Sequence, residues 1–355
     1  MKLGFIGLPG GGKTTCFSIV TGRPMEELHA APGEARIAVV KIPDDRLARV
    51  AEIYESRRMV QAELTFVDCV SLHKGEDGRA REEKLTRVAR DADSFALTLQ
   101  CFGEMDYDGN ALAPRADLEA LALEIIMTDL EVVGGRLKRI DAELKSSRDK
   151  ASWERELLQR VYDHLMAEGF ARELEFTHDE AGLIRGFSLL TMKPWLVIFN
   201  VADDDLAGER AADARAFADE RGLAHITIAA ELEREIAELP EDEAAEFLAD
   251  YGLEESARDH LIRACNEVVG VVTYFTAASV EARAWTIVGG ANARDAAGKV
   301  HTDLYDGFIR AQVIPFEEMD KYGSEAACRE AGVLRLEGRD YIVAEGDLLD
   351  IRFSR

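Results

Sequence analysis

No apolar run in these 355 residues approaches the length a helix needs to cross a bilayer, so no membrane-spanning segment is expected. No two cysteines stand as C-x-x-C either. Cys16, Cys69, Cys101, Cys265 and Cys328 are scattered singly, which disfavours zinc and disulfides and points to reduced thiols in a cytoplasmic protein. Basic residues are scarce beside acidic ones, 43 Lys and Arg against 68 Asp and Glu. The net charge of −25 argues against a general nucleic-acid binder, and no specific DNA recognition is expected. The imbalance is uneven. Residues 203–255 hold 18 acidic and 4 basic side chains, whereas residues 131–163 hold 7 and 8. If RNA or a ribosome is touched, the second segment repels it less; a solvated helix surface is the plainer alternative.

What the chain does have begins at its seventh residue. Gly7-Leu8-Pro9-Gly10-Gly11-Gly12-Lys13-Thr14 fits G-x-x-x-x-G-K-[ST], behind the apolar run Leu3–Ile6 and ahead of a helical stretch from Thr15 to Val20. That context gives the pattern a mechanism. Glycines let backbone N–H groups close around phosphate oxygens, and the helix N-terminus adds a favourable dipole. Lys13 is then the residue that reaches the β- and γ-phosphates, and Thr14 supplies a hydroxyl to Mg²⁺. With the loop so close to the N-terminus, no signal peptide is expected ahead of the fold. Cys16 comes soon after the loop; an inert helix residue is the favoured reading over an oxidation-sensitive one.

Short apolar runs alternate with helical stretches at Leu3–Ile6, Ile37–Ile42, Leu64–Val67 and Phe95–Cys101, the pattern of an α/β sheet. Trp195–Phe199 and His225–Ile228 resume it after an insertion. Within the insertion, Leu130, Val133, Leu137, Ile140 and Leu144 alternate spacings of three and four, a heptad seam. A polar break at residues 145–150 precedes a second helical stretch with Leu158, Val161 and Leu165. This pattern predicts an antiparallel coiled-coil hairpin, with two ordinary surface helices as its competitor. Beyond Gly270, strand-like Val271–Thr276, Ala284–Ile287, Gly307–Ile314 and Tyr341–Val343, with one helix at Ser324–Ala331, predict a small α+β domain. His301 and Asp303 would share one side of a strand there, with no nucleophile to partner them, and read as structural. Trp195 and Trp285 read as core or sheet-face aromatics.

Asp68, after Leu64–Val67, suits a Mg²⁺-side carboxylate. Asn200 and Asp203, after Trp195–Phe199, suit a purine-reading N-x-x-D motif. With these residues the chain resembles the YchF/Obg-like ATPase family over essentially its full length. The matching segments include Gly7–Thr15, Leu64–Asp68, Thr128–Glu131, Leu190–Pro194, Asn200–Leu206, Glu243–Glu255, Thr273–Thr276, Arg283–Ile287, Gly307–Ala311 and Leu336–Val343. The resemblance implies an α/β P-loop G domain (1–120 and 189–269), an inserted helical coiled-coil hairpin (121–188) and a C-terminal TGS domain of β-grasp, ubiquitin-like fold (270–355). It implies slow hydrolysis of ATP or GTP with Mg²⁺ and contact with ribosomes or RNA through the arm and the TGS domain. The nucleotide set it implies is Pro9, Gly10, Gly11, Gly12, Lys13, Thr14, Thr15, Asn200, Asp203 and Ala230. Thr14 and Asp68 would hold the metal, and Lys13 and Leu72 would act in hydrolysis, Leu72 standing where many GTPases have a Gln.

The chain also departs from the family. Asp203 replaces a Glu linked to ATP preference, while Val201 still replaces the Lys of ordinary GTPases, so base preference stays open with a slight lean to ATP. Ser71 stands where a Gly is usual, Pro32 falls near the switch Thr, and the loop Gly103–Asn110 has no His. His73 reads as an exposed loop residue. These losses touch hydrolysis rather than the phosphate cradle, and weak or slow turnover is expected. A non-catalytic nucleotide-gated module is the alternative. A phosphoryl-transfer kinase is disfavoured, having no use for the base motif or the C-terminal domain.

Overall fold

The computed structural model describes residues 1–29, 36–68, 92–144, 151–237, 239–240, 243–244 and 256–354. Its internal contacts divide the chain into two units. One is Met1–Ala38 with Thr65–Leu261, the other Val39–Leu64 with Ile262–Arg355.

The first unit is organised by a six-stranded sheet. In chain order its strands are β1 (Lys2–Ile6), β2 (Arg36–Lys41), β4 (Glu63–Asp68), β5 (Ser94–Cys101), β6 (Trp195–Val201) and β7 (Ala224–Ile228); β3 (Met59–Val60) belongs to the second sheet. The spatial order is β2-β4-β1-β5-β6-β7. β1 runs parallel to β4 and β5, and β5-β6-β7 continue in parallel. β5 and β6 are buried on both faces almost throughout, as a sheet covered on both sides requires. From β1 the chain passes through the phosphate loop into α1 (Lys13–Thr21), whose Phe17 meets Phe5 edge-on at 6.2 Å while Phe5 stacks on Phe66 at 6.0 Å. α2 (Met25–His29) comes next.

The sequence between β5 and β6 forms two long helices, α4 (Pro114–Leu144) and α5 (Ala151–Met166), numbered after α3 (Asp45–Ile53). The apolar spacing decides what they bury: Leu130, Val133, Leu137 and Ile140 of α4, and Leu157, Leu158, Val161 and Leu165 of α5. Arg155 of α5 pairs with Asp141 at 2.7 Å while Gly134 faces the Tyr162 ring, so the helices run antiparallel. The polar break at 145–150 lies outside the described residues. Midway along α4, Asp129 is 2% exposed and accepts hydrogen bonds from Leu190 N (2.9 Å), Thr191 N (2.7 Å) and the Thr191 hydroxyl (2.5 Å). It thereby fixes the 3-10 turn Leu190–Met192 that feeds β6. Trp195 is buried and donates its indole N–H to Leu190 O, a core role. α6 (His178–Arg185), α7 (Ala212–Glu220), α8 (Ala230–Ala237) and α9 (Ala257–Val268) come after these in order.

The second unit carries a sheet of order β11-β10-β12-β8-β9-β3. Its strands are β8 (Val271–Ala277), β9 (Ala282–Val288), β10 (Phe308–Pro315), β11 (Arg335–Glu337) and β12 (Asp347–Phe353). β8–β9, β10–β11 and β10–β12 are antiparallel, whereas β12 runs parallel to β8 and β3 parallel to β9. Tyr274 sits at the centre of the core, with its hydroxyl donating to Ala296 O at 2.7 Å. α10 (Ala293–Val300), α11 (Thr302–Asp306), α12 (Phe316–Tyr322) and α13 (Glu325–Glu330) complete the unit.

Two expectations need correction here. Tyr341–Val343 is not a strand: only Ile342 bridges, to Asn292, because the Asp347 carboxylate takes the Tyr341 hydroxyl and Ala344 N and turns the chain into β12 instead. His301 and Asp303 are not on a strand either. His301 links α10 to α11, and its Nδ1 accepts from Asp303 N at 3.1 Å, an N-cap.

α3 is tied to this unit by Arg46. Its guanidinium grips Asp44 with two bonds of 2.9 and 2.8 Å, meets Glu345 at 2.5 Å, and lies over the Phe275 ring at 5.4 Å. Glu345 in turn accepts from Thr273 N at 2.7 Å. Arg46→Ala is expected to cost about 1–2 kcal/mol, discounted for the partial exposure of the group. Urea unfolding of the full chain reads this as a lowered midpoint with an unchanged slope.

Candidate functional site

The phosphate loop is shaped by strand β5 beside it. A Cβ added at Gly7 would fall against the Thr98 carbonyl oxygen, so the backbone passes where no side chain fits. Gly12, the N-cap of α1, has φ 90°, a left-handed conformation, and a Cβ there would collide with the Asn200 amide. At both positions glycine is demanded by the neighbouring strands. Beyond Gly12, the first-turn N–H groups of α1 have no intrahelical acceptor, and no acidic side chain occupies that turn. An anion is what such a terminus holds.

Lys13 opens α1 and is 6% exposed, its ammonium donating to Leu8 O at 2.5 Å across the loop. The charge is thus held directly over the cradle. Thr14 and Thr15 continue the first turn, half-buried. Pro9, Gly10 and Gly11 form the crest, closed by a turn from Gly11 N to Leu8 O. Cys16 is fully buried; burial pushes its thiol up to about 12, against the pull of Thr98 and the Lys13 charge. It is an inert core thiol.

Asn200, at the end of β6, ties the site together. Its Nδ2 donates to Gly11 O at 3.2 Å and its Oδ1 accepts from Ala230 N at 3.0 Å. One buried side chain therefore joins the phosphate loop to the start of α8, and one donor and one acceptor position of the amide remain beyond these two bonds. Asp203 lies in the 3-10 turn after β6, exposed, with Oδ1 accepting from Asp204 N at 3.0 Å. Asp205 shapes the next turn by accepting from Glu209 N and Arg210 N. Asp68 ends β4; with Gly4 level with Val67, it stands at the carboxyl edge of the strand next to the one that feeds the loop. Leu72, Ser71, His73 and Pro32 lie outside the described residues.

Sequence reasoning missed the neighbourhood of Gly10. Gln100 donates to Phe102 O and Met105 O, and Asp106 accepts from Asp108 N and Asn110 N, so the loop after β5 is built by its own side chains. Tyr107 of that loop comes within 3.5 Å of where a Gly10 Cβ would sit. Only the run of turn residues from Gly103 to Asn110 hinted at an ordered loop.

Comparison with known proteins agrees with this layout. Ribosome-binding ATPase YchF of Bacillus subtilis (strain 168) is 33% identical, covering 100% of this chain and 99% of its own. The chain belongs to the YchF family. Ribosome-binding ATPase YchF of Escherichia coli O157:H7 is 34% identical, with 99% of each chain covered. A family model for the YchF-GTPase C-terminal region, described as a protein of unknown function (DUF933), matches residues 271–354, which hold β8 to β12 of the second sheet. The solved YchF GTPase of Schizosaccharomyces pombe superposes with a TM-score of 0.83 at 23% identity, covering 99% of this chain and 97% of that one, and so shares the fold. YchF membership accounts for mixed α/β sheets with a distinct C-terminal domain.

Proposed function

We propose that this protein binds a purine nucleoside triphosphate with Mg²⁺ in the Gly7–Thr14 loop, hydrolyses it slowly and associates with ribosomes. The observation that carries the reading is the Asn200 strap, which links the phosphate cradle to the α8 start where a base would be read. The names of the B. subtilis and E. coli relatives, ribosome-binding ATPases, support the wider role. On this reading residues 1–120 and 189–269 form the G domain and 121–188 a coiled-coil arm. Residues 270–355 form a TGS domain of β-grasp type, and the protein works in the cytoplasm. Among the described residues, no helix is long and apolar enough to cross a membrane.

Hydroxyl and carboxylate oxygens suit Mg²⁺, a hard cation, and the absence of side chains at Gly7 and Gly12 suits a phosphate chain. Thr14 and Asp68 would hold the metal, which when bound supplies charge neutralisation of the phosphates. Lys13 binds the terminal phosphates, Pro9 to Thr15 and Ala230 line the nucleotide, and Leu72 acts in hydrolysis from the position where many GTPases have a Gln. The carboxylate of Asp203 orients the base through its N–H groups. Asp203→Glu is accordingly expected to shift the ATP-to-GTP affinity ratio toward ATP by about tenfold, roughly one charge-assisted hydrogen bond, read by equilibrium titration of both analogues.

Ser71 and Pro32 favour a second reading, a nucleotide-gated module without turnover. Phosphate release measured beside nucleotide affinity separates the two. Slow release that saturates with the binding curve supports the enzyme; binding without release supports the module.

A further inference from the structure

α1 begins at the phosphate loop and ends at a different concavity, and the separation is the length of the helix. Its nine residues span about 13 Å. At that far end lies a cavity of about 370 Å³, within the size range of small-molecule sites. Among the described residues, Ile19, Pro24 and Met25 give it an apolar wall, and Arg23, Arg234 and Arg258 also line it. The Ser18 hydroxyl donates to Arg23 O at 2.5 Å and Gly22 caps α1 in the left-handed region, so the turn that presents Arg23 is fixed.

Acidic residues outnumber basic ones by 68 to 43, and many of the described arginines pair with a carboxylate. Arg234 has one, Glu231 at 2.7 Å. Arg23 and Arg258 make no ion pair among the described residues, although both are exposed at the cavity. Arg23 and Arg258 thus add two cationic side chains without an ion pair among the described residues to an apolar-walled hollow, beside the Glu231-paired Arg234. Guanidinium forks match phosphate oxygens in shape as well as charge.

We propose that this cavity is a second anion site, taking a small phosphate-bearing molecule, separate from the phosphate loop. Arg23 and Arg258 bind the phosphates, Arg234 adds to the field, and the Ile19–Met25 wall takes the apolar part of the ligand.

The test is calorimetric titration of the full-length protein with tripolyphosphate in a Lys13→Ala background, which removes the loop's own lysine. Binding is expected to persist in Lys13→Ala and to weaken at least about tenfold when Arg23→Gln and Arg258→Gln are added. Arg23→Lys with Arg258→Lys is expected to bind with an affinity between those two, keeping the charge but not the guanidinium fork, and thermal melting is expected to be unchanged by the arginine substitutions, since both arginines are exposed. Loss of all tripolyphosphate binding in Lys13→Ala alone would overturn the proposal. So would equal affinity with and without the two glutamine substitutions.

Discussion

Asn200→Ala is expected to lower stability by about 3 kcal/mol and to weaken nucleotide binding at least tenfold. The amide is 4% exposed and makes its two bonds to backbone groups 189 and 30 residues away in sequence. Alanine deletes both bonds and strands two buried partners, the Gly11 carbonyl and the Ala230 N–H, which costs more than the bonds themselves contribute. It also opens space beside Gly12, whose left-handed conformation is held against that amide. The loop then samples conformations that do not cradle a phosphate. Asn200→Asp keeps the acceptor for Ala230 and loses the donor to Gly11, so its stability falls between the two. Chemical denaturation and nucleotide titration on the same samples read both effects, and an alanine variant matching the wild type in each would refute the strap.

The second large effect is at the middle of α4. Asp129→Ala removes three hydrogen bonds from a buried carboxylate and leaves Leu190 N and the Thr191 N–H and hydroxyl without acceptors. A loss of about 4 kcal/mol is expected. Burial pushes the Asp129 carboxyl up to about 6, with the Thr191 and Leu190 donors and the Lys193 charge opposing it. A folded-state pKa raised above the unfolded value means that the folded chain holds the extra proton between about 4 and 6. The stability this group contributes is therefore greatest at the acid end of that window and falls as pH rises through about 6. The penalty for Asp129→Ala is expected to be larger at pH 5.5 than at pH 7.5, measured as the difference between wild-type and variant denaturation curves. A difference that grows with pH would show that the donors, not burial, govern the group.

Much of this was legible in the sequence, for identifiable reasons. The phosphate loop is a local motif whose glycines, lysine and flanking strand lie within fifteen residues, so its chemistry could be read without tertiary information. β5 and β6 announce themselves as apolar runs because both faces are covered, and the α4–α5 pair announces itself through its three-and-four spacing. What stayed hidden depends on contacts distant in sequence. Nothing local shows that Met59–Val60 pairs with β9, or that residues 39–64 group with 262–355. β12 was missed because Asp347, Asp350 and Arg352 interrupt its apolar pattern, although Asp347 is buried as the acceptor that turns the chain. The role of Thr98 was invisible because its backbone carbonyl, not its side chain, sets the glycine requirement at Gly7.

The most direct test of the central claim is equilibrium binding of non-hydrolysable ATP and GTP analogues, with Mg²⁺, to the wild type and to Lys13→Ala. The phosphate loop as described predicts saturable, one-to-one binding of a purine triphosphate analogue that weakens about a hundredfold when the lysine is removed, as losing a charge-assisted contact to two phosphates requires. Failure of the wild type to bind either analogue, or equal binding by Lys13→Ala, would contradict it.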